Sequence, residues 1–192
     1  MLNKPPAPAA PLRFLAISGS LRVASSNTAT LQALQAATPM GVTVALYDRL
    51  GALPFFNPDL DSETATLPQE VAVLRGEVGR SDAIVICSPE YAHGVPGALK
   101  NALDWLVGST EFPGKPVAVI NISPYSTFVQ AALRETLVTM SGAWIDDPAL
   151  TISLPRRGLR AEDMVADQGI ADALRAALDS MIRACRAVGS KC

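Results

Sequence analysis

"RFLAISGSLRVASSN", Arg13 to Asn27, changes character at its middle. Phe14, Leu15, Ala16 and Ile17 form a continuous apolar run bounded by Gly19, the pattern of a strand buried on both faces. Ser18 to Asn27 is polar instead, with four serines, one arginine and one asparagine in ten residues. From Thr28 to Ala37 the apolar positions Leu31 and Leu34 share one face, so the polar stretch opens a helix that Pro39-Met40-Gly41 ends. A buried strand, a polar loop and an amphipathic helix make the first unit of an α/β domain.

The unit repeats along the chain. "VTVALY" (Val42 to Tyr47) is β-branched and strand-like. Leu67 to Val78 is helical by Val71, Leu74 and Val78. "DAIVICS" (Asp82 to Ser88) is the clearest buried strand, and Gly97 to Val107 follows as a helix striped by Leu99, Leu103 and Leu106. "PVAVINIS" (Pro116 to Ser123) precedes a helix over Val129 to Met140. "ALTISL" (Ala149 to Leu154) is a weaker fifth strand, and Ile170, Leu174, Leu178 and Ile182 mark the last helix. Apolar strands alternating with amphipathic helices predict a parallel sheet with both faces covered and right-handed crossovers. The expected architecture is a three-layer α/β/α fold of the flavodoxin-like kind, five parallel strands in the order 2-1-3-4-5. Residues 12–192 form one domain behind a tail, residues 1–11, read as disordered from its four prolines and its lack of an apolar core. A long connection near residues 45–65, with Pro54, Phe55, Phe56 and Pro58, joins the second strand to its helix.

Composition narrows the function. Sixteen basic against 18 acidic residues give a net charge of −2 with no cationic run, which argues against nucleic acid and favours a small-molecule partner. No apolar stretch approaches the roughly 20 residues of a membrane span. Cys87, Cys185 and Cys192 have no metal-ligand spacing and His93 is the sole histidine, so no metal site is expected. Sparse, unpaired cysteines suit a reducing cytoplasm.

In an open α/β sheet of this order, ligands bind beyond the carboxyl ends of the strands, between strands one and three. Three polar loops meet there: Ser18 to Asn27, "SPEYAHGVPG" (Ser88 to Gly97) and "SPYSTF" (Ser123 to Phe128). The first opens a helix, whose N-terminus offers unpaired N–H groups and partial positive charge. Hydroxyls of Ser20, Ser25 and Ser26, the Asn27 amide and the Arg22 guanidinium then complete a phosphate site, against the alternative of a plain capping turn. There is no GxxxxGK[ST], no GxGxxG after strand one, and no pair of aspartates there, which excludes P-loop, dinucleotide-fold and phospho-receiver readings. A thiolate phosphatase loop built on Cys87 would need an arginine where His93 stands. The second loop is stiffened by Pro89 and Pro96 and loosened at Gly94. It suits a flat heteroaromatic ring with Tyr91 packed against it, or else it is a tight turn before a Pro-capped helix.

"GSLRVASSN" from Gly19 and "SPEYAHGVPGALKNALDW" from Ser88 to Trp105 together resemble the signatures of the NADPH-dependent FMN reductase family, which includes bacterial chromate and quinone reductases and azoreductases. The resemblance extends over essentially the whole chain after the tail. It implies non-covalent FMN, with Ser20, Arg22, Ser25 and Asn27 on its phosphate, Gly19 in the same loop and Ser26 beside them as a helix-capping candidate. Pro89, Glu90, Tyr91, Ala92 and His93 would line the ring, largely through backbone, and the loop at Ser123 would close the other side. NADPH or NADH would be the co-substrate. The acceptor would be a quinone, free flavin, azo compound or metal oxyanion such as chromate, and the chain would form a homodimer or homotetramer. The flavin carries the chemistry, so no acid–base residue is assigned.

The chain departs from the family pattern at Ala92, where asparagine is usual. It departs again at "SPYSTF", in place of a glycine-rich loop, and after Asp104-Trp105, where no arginine follows. Lys100, Asn101, Asp104 and Trp105 are read as packing, capping or dimer contacts, Cys87 as core, and Arg156, Arg157 and Arg160 as a solvated basic turn. A flavodoxin-like electron carrier without nicotinamide activity is the alternative function, for which −2 is a poor fit. A flavin-free binding module is a third.

Overall fold

The computed structural model describes residues 10–189. Most of the tail expected at 1–11 and Cys192 fall outside that range; Ala10 and Pro11, within it, are exposed. Five parallel strands, β1 (Leu12–Ser18), β2 (Val42–Tyr47), β3 (Ala83–Cys87), β4 (Pro116–Ile120) and β5 (Ala143–Trp144), lie in the order β2-β1-β3-β4-β5. The helices are α1 (Ser26–Ala36), α2 (Gln69–Gly79), α3 (Gly97–Val107), α4 (Thr127–Thr139), α5 (Ala161–Ala166) and α6 (Gln168–Gly189). The expected order and layering are met.

Alternation along the strands builds two cores. Phe14, Ala16, Ala83, Val85, Cys87, Ala118 and Ile120 pack beneath α1, α5 and α6. Leu15, Ile17, Ile84, Ile86, Val117 and Val119 pack beneath α2, α3 and α4. The central strands β3 and β4 are buried at every residue, which explains their unbroken apolar runs. In the parallel register Phe14 faces Ala83 and Ser18 faces Cys87, so β1 and β3 end level at the carboxyl edge.

Two expectations are corrected. The fifth strand is Ala143–Trp144, not Ala149–Leu154. Its amides at Ala143 and Ile145 donate to Lys115 and Val117 carbonyls of the β4 segment. Asp147 then caps a 3₁₀ turn, Pro148–Leu150, accepting from the Ala149 amide at 2.9 Å, and the chain leaves the sheet. It returns only at Thr151, bridged to Asn121. A strand of two residues carries no alternation for a sequence pattern to reveal. β4 also stops at Ile120 rather than Ser123, because the Asn121 side chain turns back to accept from the Ser123 amide at 3.1 Å. The short α5 has no counterpart in the apolar periodicity.

The long β2–α2 connection is tied down at two points. Pro54 carbonyl accepts from Asn101 Nδ2 at 2.9 Å and from Trp105 Nε1 at 2.8 Å, and Asn101 Oδ1 takes the Phe56 amide. The Phe56 ring meets the fully buried Trp105 edge to face, centroids 5.0 Å apart. Further on, Arg75 bridges Asp61 at 2.7 Å and also donates to the Trp105 carbonyl. The two charged side chains are only 14% and 13% exposed. "KNALDW" thus supplies a clamp for the connection, as the packing assignment expects.

The connection after β3 is a miniature hairpin. Tyr91 and Gly94 exchange both backbone hydrogen bonds, at 3.2 and 2.9 Å, around Ala92 and His93. Both corner residues have positive φ, 48° and 58°. That is the signature of a two-residue turn in which Asn-Gly is favoured and a Cβ is costly.

Two stability outcomes follow. Asp61→Ala strands the Arg75 guanidinium and should cost about 2 kcal/mol, lowering the thermal midpoint by about 4–8 °C. An unchanged midpoint would show that the Pro54 clamp alone holds the connection. Ala92→Gly should raise the midpoint by about 2 °C, since the exposed Ala92 methyl adds strain at φ 48°. A fall in the midpoint would contradict the strain.

Candidate functional site

The site lies where β1 and β3 end. Gly19 donates its amide to the Cys87 carbonyl at 2.9 Å, continuing the ladder one step beyond the strands. A Cβ on Gly19 would stand 2.3 Å from Ser88 Oγ and 3.0 Å from Leu99 Cδ2. Glycine is therefore required for the first and second loops to meet.

The first loop folds onto the start of α1. Ser25 caps the helix, its hydroxyl accepting from the Thr28 amide at 3.4 Å. The capping role read at Ser26 therefore belongs to Ser25. Ser26 is the first helical residue, and its hydroxyl accepts from the Gly158 amide at 3.1 Å, tying α1 to the segment before α5. Ser20 Oγ accepts from the Arg22 amide at 3.3 Å. Ser18 and Thr28 share a hydrogen bond at 2.8 Å, pinning the first turn to the end of β1. Asn27, only 9% exposed, accepts from the Cys87 thiol at 3.3 Å, pinning the same turn to β3. Burial pushes the Cys87 thiol well above its ordinary range, so it stays protonated and donates.

The donors left over define the chemistry. Among the described hydrogen bonds, the Ser26 and Asn27 amides and Asn27 Nδ2 have no acceptor, and the exposed Arg22 guanidinium has neither acceptor nor ion-pair partner. One cation, two helix N-terminal amides and a primary amide suit a phosphate monoester. Of this set Arg22 lines an open cleft of about 320 Å³, together with Gly19, Leu21, Tyr91, Pro96, Gly97 and Ala98. The donor set and this cleft fit the phosphate and the adjoining part of an FMN.

The second and third loops hold each other. Glu90 accepts from the Val129 amide at 3.0 Å, so its carboxylate sits at the N-terminus of α4, where Ser126 supplies no side-chain cap. The His93 ring lies flat on Phe128, centroids 4.2 Å apart and 14° from parallel. Ser123 Oγ accepts from the Tyr125 amide at 3.4 Å, shaping the third loop from within. Tyr91 is 50% exposed and lines the cleft mouth. Pro89 is half-buried and its carbonyl accepts from Ser88 Oγ at 3.0 Å.

Of the residues singled out from sequence, Gly19, Ser20, Arg22, Ser25, Ser26 and Asn27 are gathered at one helix start, and Pro89 to His93 stand in the adjoining loop. Two roles change. Ser25 is occupied as a cap through its side chain. Glu90 faces α4 through its carboxylate. Three contributions were not legible: Cys87 as a hydrogen-bond donor, Thr28 as the partner of Ser18, and Phe128 as the platform for His93. The registers of β1 against β3 and of loop two against α4 create these pairs, and neither is written in local periodicity.

The family model of NADPH-dependent FMN reductase matches residues 12–154. An NAD(P)H-dependent FMN reductase of Pseudomonas aeruginosa is 31% identical over 175 residues, 88% of this chain and 93% of that one. A quinone reductase of Pseudomonas putida is 38% identical over 113 residues, 56% of this chain and 58% of its own length. Among solved structures, a flavoenzyme NAD(P)H:(acceptor) oxidoreductase from Paracoccus denitrificans superposes with a TM-score of 0.72 at 28% identity, covering 91% of this chain and 97% of that one. With its two loop motifs standing at the carboxyl edge of the sheet, and the family model covering most of its length, this chain belongs to the NADPH-dependent FMN reductase family.

Proposed function

We propose that the protein is an FMN-dependent NAD(P)H oxidoreductase that passes reducing equivalents from NADPH or NADH to a quinone, a free flavin, an azo compound or a metal oxyanion such as chromate. The observation that carries the reading is the unpaired donor set at the start of α1, set against a rigid loop at the switch point of the sheet. The relatives named as FMN and quinone reductases support the general reaction.

Arg22, the Ser26 and Asn27 amides and Asn27 Nδ2 hold the phosphate. Ser20 and Ser25 shape the loop that presents them. The backbone of Pro89 to His93 forms the bed of the ring, and its hairpin keeps these N–H and C=O groups fixed. Bound FMN supplies the two-electron redox chemistry. Glu90 braces the bed against α4, and Phe128 braces His93. The protein's part is positioning and electrostatics, consistent with a cytoplasmic small-molecule enzyme.

A homodimer or homotetramer belongs to the same reading. Phe55, 91% exposed on the clamped β2–α2 connection, and Val107, 62% exposed at the end of α3, are apolar groups held rigidly towards solvent. A second copy of this chain is the occupant that suits them.

Anaerobic titration of the flavin-loaded protein with each nicotinamide, followed by a panel of acceptors, tests the activity. Bleaching by NAD(P)H and reoxidation by a quinone are expected; flavin that neither nicotinamide bleaches would identify an electron carrier instead. Arg22→Ala should weaken FMN binding about tenfold or more, the loss of a charge-assisted contact. Unchanged affinity would remove the cradle. Light scattering at micromolar concentration should give a dimer or larger for the unaltered chain and a smaller species for Phe55→Ser. A monomer for the unaltered chain would refute assembly.

A further inference from the structure

Cys87 combines two properties not expected of a plain core residue. It is fully buried at the last position of β3, yet its Sγ lies 3.3 Å from Asn27 Oδ1 in the first turn of α1. A primary amide has an accepting end and a donating end, and a half-turn about its last side-chain bond interchanges the two. The neighbouring partner decides which end points where. Here the partner is a thiol, whose hydrogen goes to Oδ1; a flipped amide would keep only the weaker N–H···S contact.

We propose that Cys87 is a positioning residue, holding Asn27 Oδ1 on the strand side so that the two Nδ2 hydrogens are left for a phosphate. The inference rests on the FMN reading above and refines it. Three facts carry it. Asn27 is 9% exposed, so a misoriented amide would set a buried oxygen beside an anion. Among the described residues no group competes for Oδ1 apart from Cys87, and none takes Nδ2. The other ties of this turn, Ser18 to Thr28, the Ser25 cap and Ser26 to the Gly158 amide, fix the backbone but exert no hold on the Asn27 side chain. The helix start is therefore placed by these ties, and the amide's polarity is set by the thiol.

The consequence is specific to the phosphate. With Cys87→Ala, Oδ1 loses its donor and the amide samples both orientations. The dissociation constant for FMN should rise about fivefold, the worth of one hydrogen bond, while that for riboflavin, which lacks the phosphate, stays within a factor of about two of the unaltered protein. Cys87→Ser keeps an O–H donor at the same place and should restore FMN affinity to within about twofold. In an Asn27→Ala background, Cys87→Ala should make no further difference to FMN.

The measurement is fluorescence titration of the deflavinated full-length protein with FMN and with riboflavin, each variant first checked for a cooperative thermal transition. Equal losses for FMN and riboflavin, or a loss that persists in the Asn27→Ala background, would reduce Cys87 to core packing and overturn the proposal. Unchanged FMN affinity in Cys87→Ala would do the same. If Cys87→Ala fails to fold, the Cys87→Ser comparison decides: retained discrimination between FMN and riboflavin supports the pair, and its collapse refutes it. Absence of flavin binding in the unaltered chain would instead bring down the FMN reading, so the two failures are told apart.

Discussion

The close approach at Gly19 is the constraint from which the site follows. Strands β1 and β3 are neighbours in register, so their loops leave the sheet side by side, and the space between the Gly19 backbone and Ser88 Oγ cannot hold a methyl group. Because the chains touch there, the first turn of α1 is close enough to β3 for a side chain to reach across. Because β4 follows next, the loop before α4 comes within reach of the hairpin after β3. Polar side chains then complete what the backbone begins, each closing one gap: Ser18 with Thr28, Asn27 with Cys87, Glu90 with the Val129 amide.

Most of the layered architecture was legible because its cause is local. An apolar run in β3 or β4 is buried on both faces, and a helix such as α3 shows its Leu99, Leu103 and Leu106 stripe whatever surrounds it. β5 was not legible, since two residues of strand between a tight turn at Ser141, φ 64°, and the Asp147 cap leave nothing periodic to read. The pattern at Ala149–Leu154 is apolar for another reason: Leu150 and Ile152 fill the core under α6, while their backbone groups make the single bridge to Asn121.

The candidate site divides in the same way. Residue types betrayed the first loop, because hydroxyls, an amide and a lone cation at a helix start have few other uses. They did not betray which hydroxyl caps and which is spare; Ser25 and Ser26 are adjacent, and a one-residue shift of the helix start exchanges their roles. Glu90 was placed in the second loop, with no partner given for its carboxylate. Its partner is an amide 39 positions away, reached only because α4 begins opposite the hairpin.

The brace at Glu90 also sets the sign of the field at that rim. A helix beginning beside a ligand cleft ordinarily offers it a partial positive charge, and anions gather there. At α4 that charge is already met by a carboxylate belonging to the protein, whereas at α1 it is left open and reinforced by Arg22. The two helix starts that flank the second loop are therefore unlike electrodes. One is left open to an anion; at the other the protein's own carboxylate already stands, beside the exposed Tyr125 and Phe128.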